Sequence, residues 1–344
     1  MAKKSDHKTV KGLTWTVEDA DSMTQAEVYG EVLTQLGTQN KKLVALTGDL
    51  AGSTKIGKFG DKHPDRFFNM GIAEINMMGV ASGMAATGLI PVVSTFAAFA
   101  SLRCAEWVRT DICYQKRNVK IIATHSGTSF GQAGTTHHCT EDFSVMRVMP
   151  GMVVIAPADA FETAKAVTAA IEHDGPVYIR IGRSFEPPLW KSMDDFEFKI
   201  GKAIKLHEGT DVTIIATGRT VTGALEAAEI AGQQGISVKV LNMHTIKPID
   251  EEAILEAVME TRRIITVEDH NVYGGLGTAV ADVIAASGKG CVLRKHGLQD
   301  EFSIVGYPDD LLHVYKMDAD GILEGVEAVL KMDFEADEDW EDEV

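Results

Sequence analysis

Short apolar, β-branched runs alternate with stretches of helical spacing along most of the chain. Residues 43–47, 92–95, 119–124, 153–156 and 177–181 read as strands, with helical patterns over 73–87, 100–116 and 158–172 between them. Alternation of this kind predicts parallel strands covered by helices on both faces. The rhythm breaks at 186–200, where Pro187, Pro188 and Trp190 stand among mixed charges, and that stretch reads as a linker. A second, smaller series follows, with strands at 213–216, 237–241, 264–267 and 291–294 and helices at 221–234, 251–260, 277–286 and 322–331. The predicted fold class is α/β, with two domains that are each a mainly parallel sheet flanked by helices. They fall at 21–185 and 201–332, between an extension over 1–20 and a tail over 333–344.

Composition narrows the classes of function. A hydrophobic fraction of 45% with 24% charged residues is that of a folded globular protein. The net charge of -17 argues against non-specific nucleic-acid binding, which needs a basic face. Eight of the residues over 333–344 are Asp or Glu, so part of that charge sits in a tail expected to be solvated. Cys104, Cys113, Cys139 and Cys291 form no CxxC pair, the usage of a reducing compartment, and the expected location is cytoplasmic. The N-terminal residues have basic charges with no apolar run behind them, unlike a secretory signal. Residues 75–102 carry no charge and are long enough to span a bilayer, but Asn76, Ser82, Thr87, Pro91 and Ser94 interrupt them. A buried helix, a turn and a buried strand explain that stretch, and no membrane is expected.

Candidate chemistry concentrates in the first half. Residues 52–58, GSTKIGK, fit the first seven positions of a phosphate-binding loop. Phe59 stands where a metal-binding hydroxyl belongs, and Gly60 and Pro64 spoil the following helix, so a flexible surface loop is the better reading. His125, His137, His138, Cys139, Glu141 and Asp142 lack metal-ligand spacing; a polar pocket at a strand's carboxyl end suits them better, and no metal ligand is assigned. Glu74 is the one charge between Asn69 and Arg103. Desolvation in such surroundings favours its protonated form. Phe96 and Phe99 would by themselves be core. Arg180 and Arg183 end a predicted strand on opposite faces, so one is expected to enter a site and the other to make an ion pair. In the second domain, 268–280 (EDHNVYGGLGTAV) reads as strand end, glycine turn and helix start, a weak ligand signal.

Taken in order, LTGDLAGST, FFNMGIAEINMMGVASGMA, PVVSTFAAFASLRCAEWVR, ATHSGTSFGQAGTTHHCTEDFSVMRVMPGM and VYIRIGRS resemble the pyrimidine-binding domain of transketolases, followed by their C-terminal domain. The resemblance implies a thiamine-diphosphate-binding fold and roles that the isolated residues do not. Glu74 matches the glutamate that hydrogen-bonds the aminopyrimidine ring of thiamine diphosphate. Phe96 and Phe99 match aromatics packed on that ring, and Asp49 and Ile72 match residues lining the cofactor site. His125 and His137 match histidines beside the sugar oxygens, and Arg183 matches the arginine that holds the sugar phosphate. The implied reaction moves a two-carbon ketol unit between sugar phosphates.

Three departures bear on specificity: Leu102 replaces a tyrosine, Ala133 replaces an aspartate that reads donor stereochemistry, and Thr24 or Gln25 occupies the region of a second phosphate-binding arginine. They leave a sulfonated or branched sugar as an alternative donor. A deoxyxylulose-phosphate-synthase-like or 2-oxoacid-decarboxylating enzyme and a non-catalytic regulatory subunit are further alternatives. No GDG motif, the family's signature for Mg²⁺ and diphosphate, occurs in the chain. The resemblance therefore implies a partner subunit that bears GDG and holds most of the diphosphate and Mg²⁺. An α2β2 complex, self-associated through both domains of this chain, is the expected assembly.

Overall fold

The computed structural model describes residues 6–8, 14–17 and 19–332; the acidic tail and most of the predicted extension lie outside them. In chain order the strands are β1 (Asp6–Lys8), β2 (Thr14–Thr16), β3 (Leu43–Thr47), β4 (Phe67–Asn69), β5 (Ile90–Phe96), β6 (Lys120–Thr124), β7 (Val153–Ile155), β8 (Val177–Arg180), β9 (Ile204–His207), β10 (Val212–Ala216), β11 (Val238–Asn242), β12 (Thr245–Lys247), β13 (Arg263–Asn271) and β14 (Val292–Leu298). The larger sheet runs β12-β7-β8-β6-β5-β3-β4 and the smaller β14-β13-β10-β11-β9. All pairings in the larger sheet are parallel except β12 on β7. In the smaller sheet only β9 is antiparallel, beside β11. The two-domain α/β class predicted from periodicity is the class observed.

The β-branched runs form strands because helices bury them on both faces. Every residue of β3, β6 and β8 is buried. One helix layer, Gln25–Gln39 against Ala160–Glu172, presses Val28, Val32, Leu33, Ala164, Val167 and Ile171 onto one face. Thr24 and Glu27 cap the first of these reciprocally, and Asp159 caps the second. The Glu74–Ala86 helix covers the other face with Met77, Met78 and Ala81. Trp15 and Val17 are buried in the first of these layers, so the end of the predicted extension is part of the domain.

Two expectations change in structure. Residues 100–116 are not one α-helix: wide π-type turns at Phe99–Arg103 and Val108–Cys113 flank a short α-helical piece, Ala105–Trp107. Such turns are rare and gather at functional sites. The division between domains is also crossed. β12, well past the linker, pairs with β7 at the edge of the first domain's sheet, and the Ala156 N–H donates to His244 O at 2.8 Å. A short local pattern in TIK could not reveal which sheet the strand would join. Charge-free residues 75–102 fold as helix, strand and π-type turn, and among the described residues no helix is long and apolar enough to cross a membrane.

Arg180 is the ion-pair member of the predicted arginine pair. It is buried, with Nε 3.0 Å from Asp142 Oδ2, off the N–H direction, so the contact is ionic. Its Nη2 donates to Cys139 O at 2.9 Å and to Asp269 O at 2.6 Å, the latter in the second domain. Tyr178 Oη donates to the same Asp142 oxygen at 2.7 Å. Asp142→Ala would leave the buried guanidinium without its counter-charge. A loss of about 3–5 kcal/mol in urea unfolding is expected; a loss within experimental error of zero would show that the two carbonyls suffice.

Candidate active site

The cofactor- and sugar-side candidates implied by the resemblance lie on one edge of the larger sheet. Asp49 follows β3, Ile72 and Glu74 follow β4, Phe96 ends β5 with Phe99 beyond it, His125 follows β6, and Arg183 follows β8. These strands are neighbours in the sheet, so the loops after them share a rim, where parallel sheets bind ligands.

An aromatic cluster forms the middle of the rim. The Phe96 ring lies 4.2 Å from His125, 5.8 Å from Phe99 and 5.1 Å from Phe130, centroid to centroid. His137 stands edge-on to Phe99 at 5.6 Å and to Phe130 at 5.5 Å. The predicted histidines and phenylalanines therefore share one cluster. Phe130, absent from the sequence reading, sits at the centre; its only signal was an aromatic inside a glycine- and hydroxyl-rich run. The exposed Arg183 guanidinium lies 5.0 Å over the Phe130 ring, its charge facing outward at the rim.

His125 adopts a left-handed backbone, φ 59°, and shares a 2.9 Å hydrogen bond with Thr124 Oγ1. Burial pushes its pKa down to about 4, with the Arg183 and His137 charges adding to the effect. At neutral pH the ring is therefore uncharged and offers one donor and one acceptor.

Glu74 opens its helix and is buried, 2% exposed, at the positive end of the helix dipole. It is not the isolated carboxyl that its charge-free segment suggested. Arg103, the first charge after that segment, folds back through the π-type turn, and its Nη1 donates to Glu74 Oε2 at 2.8 Å. The same guanidinium lies 4.6 Å over the Phe99 ring. Oε1 receives no hydrogen bond from the described residues. A Cβ on Gly48 would come within 3.4 Å of Glu74 Cγ, so the β3 loop passes close over the carboxyl. Beyond this pocket the rim is open. Asp49, in a left-handed turn at φ 65°, is exposed and accepts from Asn69 Nδ2 at 2.9 Å. Ile72 is 79% exposed and Leu102 49%.

Other candidates resolve differently. Residues 52–58 do not form a flexible loop; they belong to two short helices, Ala51–Thr54 and Gly57–Lys62, the second packed on the Gln25–Gln39 helix. Lys55 and Lys58 there face Glu27 and Glu31 at 3.8 and 3.6 Å. His138 leaves the cluster, with Nε2 against Gly131 O at 2.9 Å and Nδ1 against Ser303 Oγ at 2.6 Å. Gln25 is buried, donating to Pro157 O at 2.7 Å and accepting from Gly182 N at 3.0 Å. The 268–280 segment has the predicted strand–turn–helix form, but Glu268 caps its own helix through Leu276 N at 2.7 Å and Gly277 N at 2.8 Å.

Fold and rim together define a class: a two-domain α/β protein with a buried carboxylate beneath an aromatic, histidine-bearing ligand rim. Residues 21–186 match the transketolase pyrimidine binding domain and residues 201–322 the transketolase C-terminal domain. A Methanocaldococcus jannaschii protein named for a transketolase C-terminal section is 44% identical over 88% of this chain and 95% of its own length. A Phocaeicola vulgatus protein, named as one of the subunits of an apulose-4-phosphate transketolase, is 40% identical over 86% of this chain and 93% of its own length. A solved structure described as a split gene transketolase, inactive beta4 tetramer, is 44% identical with a TM-score of 0.82, over 90% of this chain and 99% of that one. The chain belongs to the transketolase family and corresponds to its C-terminal section.

The histidines give a direct check on the site. In an NMR titration of the intact chain, His125 should show a midpoint near 4, whereas the exposed His313, raised by its hydrogen bond to Asp318, should titrate above 6.5. A His125 midpoint at 6.5 would mean that the aromatic cluster is open to water.

Proposed function

We propose that this chain supplies the pyrimidine-binding half of a thiamine-diphosphate-dependent transketolase site and transfers ketol units only together with a diphosphate-binding partner. The observation that carries this reading is a buried carboxylate, half satisfied by Arg103, beneath an aromatic wall whose outer flank is left exposed at Asp49 and Ile72. The ring nitrogen of a flat aminopyrimidine would give the free Glu74 oxygen the partner it lacks. Glu74 Oε1 has no competing partner among the described residues, and Arg103, which binds Oε2, lies against the Phe99 ring.

When bound, the cofactor supplies the carbanion centre and electron sink that carbon–carbon bond cleavage requires. Glu74 would hold the ring nitrogen through a hydrogen bond in which a proton can be shared. The Arg103 guanidinium limits the electrostatic strain of keeping that carboxyl dry. Neutral His125 offers a donor and an acceptor to sugar hydroxyls, and His137 stands beside it at the same rim. Arg183 faces the mouth, where a sugar phosphate would pair with its planar fork. Phe130 excludes water between the histidines and that arginine.

Mg²⁺ and the diphosphate fall to the partner in this reading, because the GDG signature does not occur in this sequence. The related split-gene protein described as an inactive beta4 tetramer supports self-association and the need for a second chain. An α2β2 complex is the assembly proposed. Donor choice has a second reading. Gln25, in the region where the resemblance implied a second phosphate-binding arginine, is tied to backbone on both sides. The relative named for apulose-4-phosphate supports including donors other than xylulose 5-phosphate.

The test is two-carbon transfer to ribose 5-phosphate with Mg²⁺ and thiamine diphosphate, by the chain purified with its partner, over a panel of ketose phosphates and sulfonates. Activity should require both chains. Glu74→Ala should lower turnover by on the order of 10³-fold or more, while co-purification and unfolding midpoint hold, since Arg103 is half exposed and can turn to water. Near-normal transfer by that variant would sink the assignment; pyruvate consumption with CO₂ release would redirect it to a decarboxylating synthase.

A further inference from the structure

Besides the Ser303 contacts to Thr135 and His138, the second domain sends to the rim a buried carboxylate that the proposed chemistry does not use. Asp269, near the carboxyl end of β13, is 2% exposed. Both its oxygens lie 3.0 Å from Thr128 N, and Oδ1 also accepts from Thr128 Oγ1 at 2.9 Å. Thr128 belongs to the loop after β6, between His125 and Phe130. The loop is shaped to receive it. Gly127 sits at φ 56°, and a Cβ there would lie 2.1 Å from Asp269 Oδ2.

From that node the hydrogen bonds run to the segments that carry the sugar-side residues. Gly127 exchanges hydrogen bonds with Cys139 at 2.9 and 3.0 Å, tying the outgoing arm of the loop to the arm that returns from His137. Next to Thr128, Ser129 Oγ donates to Ser126 O at 2.5 Å and accepts from Arg183 N at 3.1 Å. Thus the segment bearing His125 and Phe130, the segment bearing His137 and the segment bearing Arg183 all meet within two residues of one carboxylate.

Domain adhesion alone does not account for this placement. β12, the ladder it adds to β7 and the Lys247 bonds to Arg147 O and Met149 O, 2.7 Å each, already join the domains. Arg180 binds the Asp269 backbone oxygen, not its carboxylate. The carboxylate's charged neighbour is Arg219, whose Nη1 is 3.8 Å away and whose Nε is 3.5 Å from Glu186. That arginine compensates the buried charge, and the hydrogen-bonding capacity is spent on the loop.

We propose that Asp269 is a positioning residue, through which the C-terminal domain sets the geometry of the sugar-binding loop in the pyrimidine-binding domain. It does not touch substrate; it fixes Gly127 and Thr128, and through them the histidines and Arg183. Its meaning for catalysis rests on the function proposed above, but its structural claim can be read on this chain alone.

The experiment compares wild type, Asp269→Asn and Thr128→Val by histidine NMR titration and urea unfolding, without partner or cofactor. Asn keeps the shape but loses the paired acceptor; Val removes only the hydroxyl donor, in case the first variant does not fold. The expected result is that the His125 midpoint rises from about 4 by roughly one unit or more as the loop admits water, whereas His244, held at about 3 by burial at the β12–β7 joint between the domains, stays put. With the partner restored, kcat/KM should fall on the order of tenfold, largely through KM for the phosphorylated sugar. An unmoved His125 in a folded variant, or His125 and His244 shifting together, would reduce Asp269 to a general domain clamp. A failed transfer assay in wild type would count against the proposed function while leaving the NMR comparison intact.

Discussion

A parallel sheet returns its chain through crossovers, so the carboxyl ends of all its strands lie on one edge. In this protein that constraint does most of the assembly. Residues as far apart in sequence as Asp49 and Arg183 come to one rim because β4, β3, β5, β6 and β8 run in one direction and adjoin. The apolar layers on both faces hold the strands in register, which makes the rim rigid although it consists of loops. The left-handed residues at Asp49 and His125 are local strain that this rigid frame sustains at the point of use.

A second constraint is electrostatic. The region between the domains buries Asp142, Arg180, Glu186, Arg219 and Asp269, and such groups are tolerated only when paired. Here the pairs fall on both sides of the boundary: Arg180 to Asp142 within the first domain, and Arg219 of the second to Glu186 of the linker and to Asp269. Burial pushes Glu186 up to about 7, with Arg219 pulling the other way and Asp269 and Asp309 adding to the rise.

How much was legible depended on the range of the determinants. β3 and the Glu251–Glu260 helix follow from local patterns, because β-branched runs and amphipathic spacing are local properties. β12 was not legible, since three residues cannot specify which of two sheets they will extend. Within the site, Glu74 stood out by its charge-free surroundings, yet its partner Arg103 was hidden at the end of that very stretch, because a π-type turn has no sequence period to find. The histidines, the phenylalanines and Arg183 acquired roles only through family resemblance; geometry then brought them together and added Phe130. Asp269 lay inside a segment noted as a weak ligand signal, and its ligand proved to be the other domain's loop.

Glu74 and Ile72 stand two residues apart, one nearly inaccessible and the other almost wholly exposed. A carboxylate is ordinarily kept dry by completing its hydrogen bonds and an isoleucine by burying its methyls. Here neither is finished within the described chain: one oxygen of Glu74 is unbonded, and Ile72 has Leu102 as fellow exposed side chain on the same open rim. Both deficits would be removed together by a flat ligand against the first and a protein surface over the second. A pocket that were merely a defect of packing would have no reason to place its polar and apolar deficits side by side. The juxtaposition accords with the divided site proposed above, in which one wall grips the ligand and a second surface covers the apolar side chain.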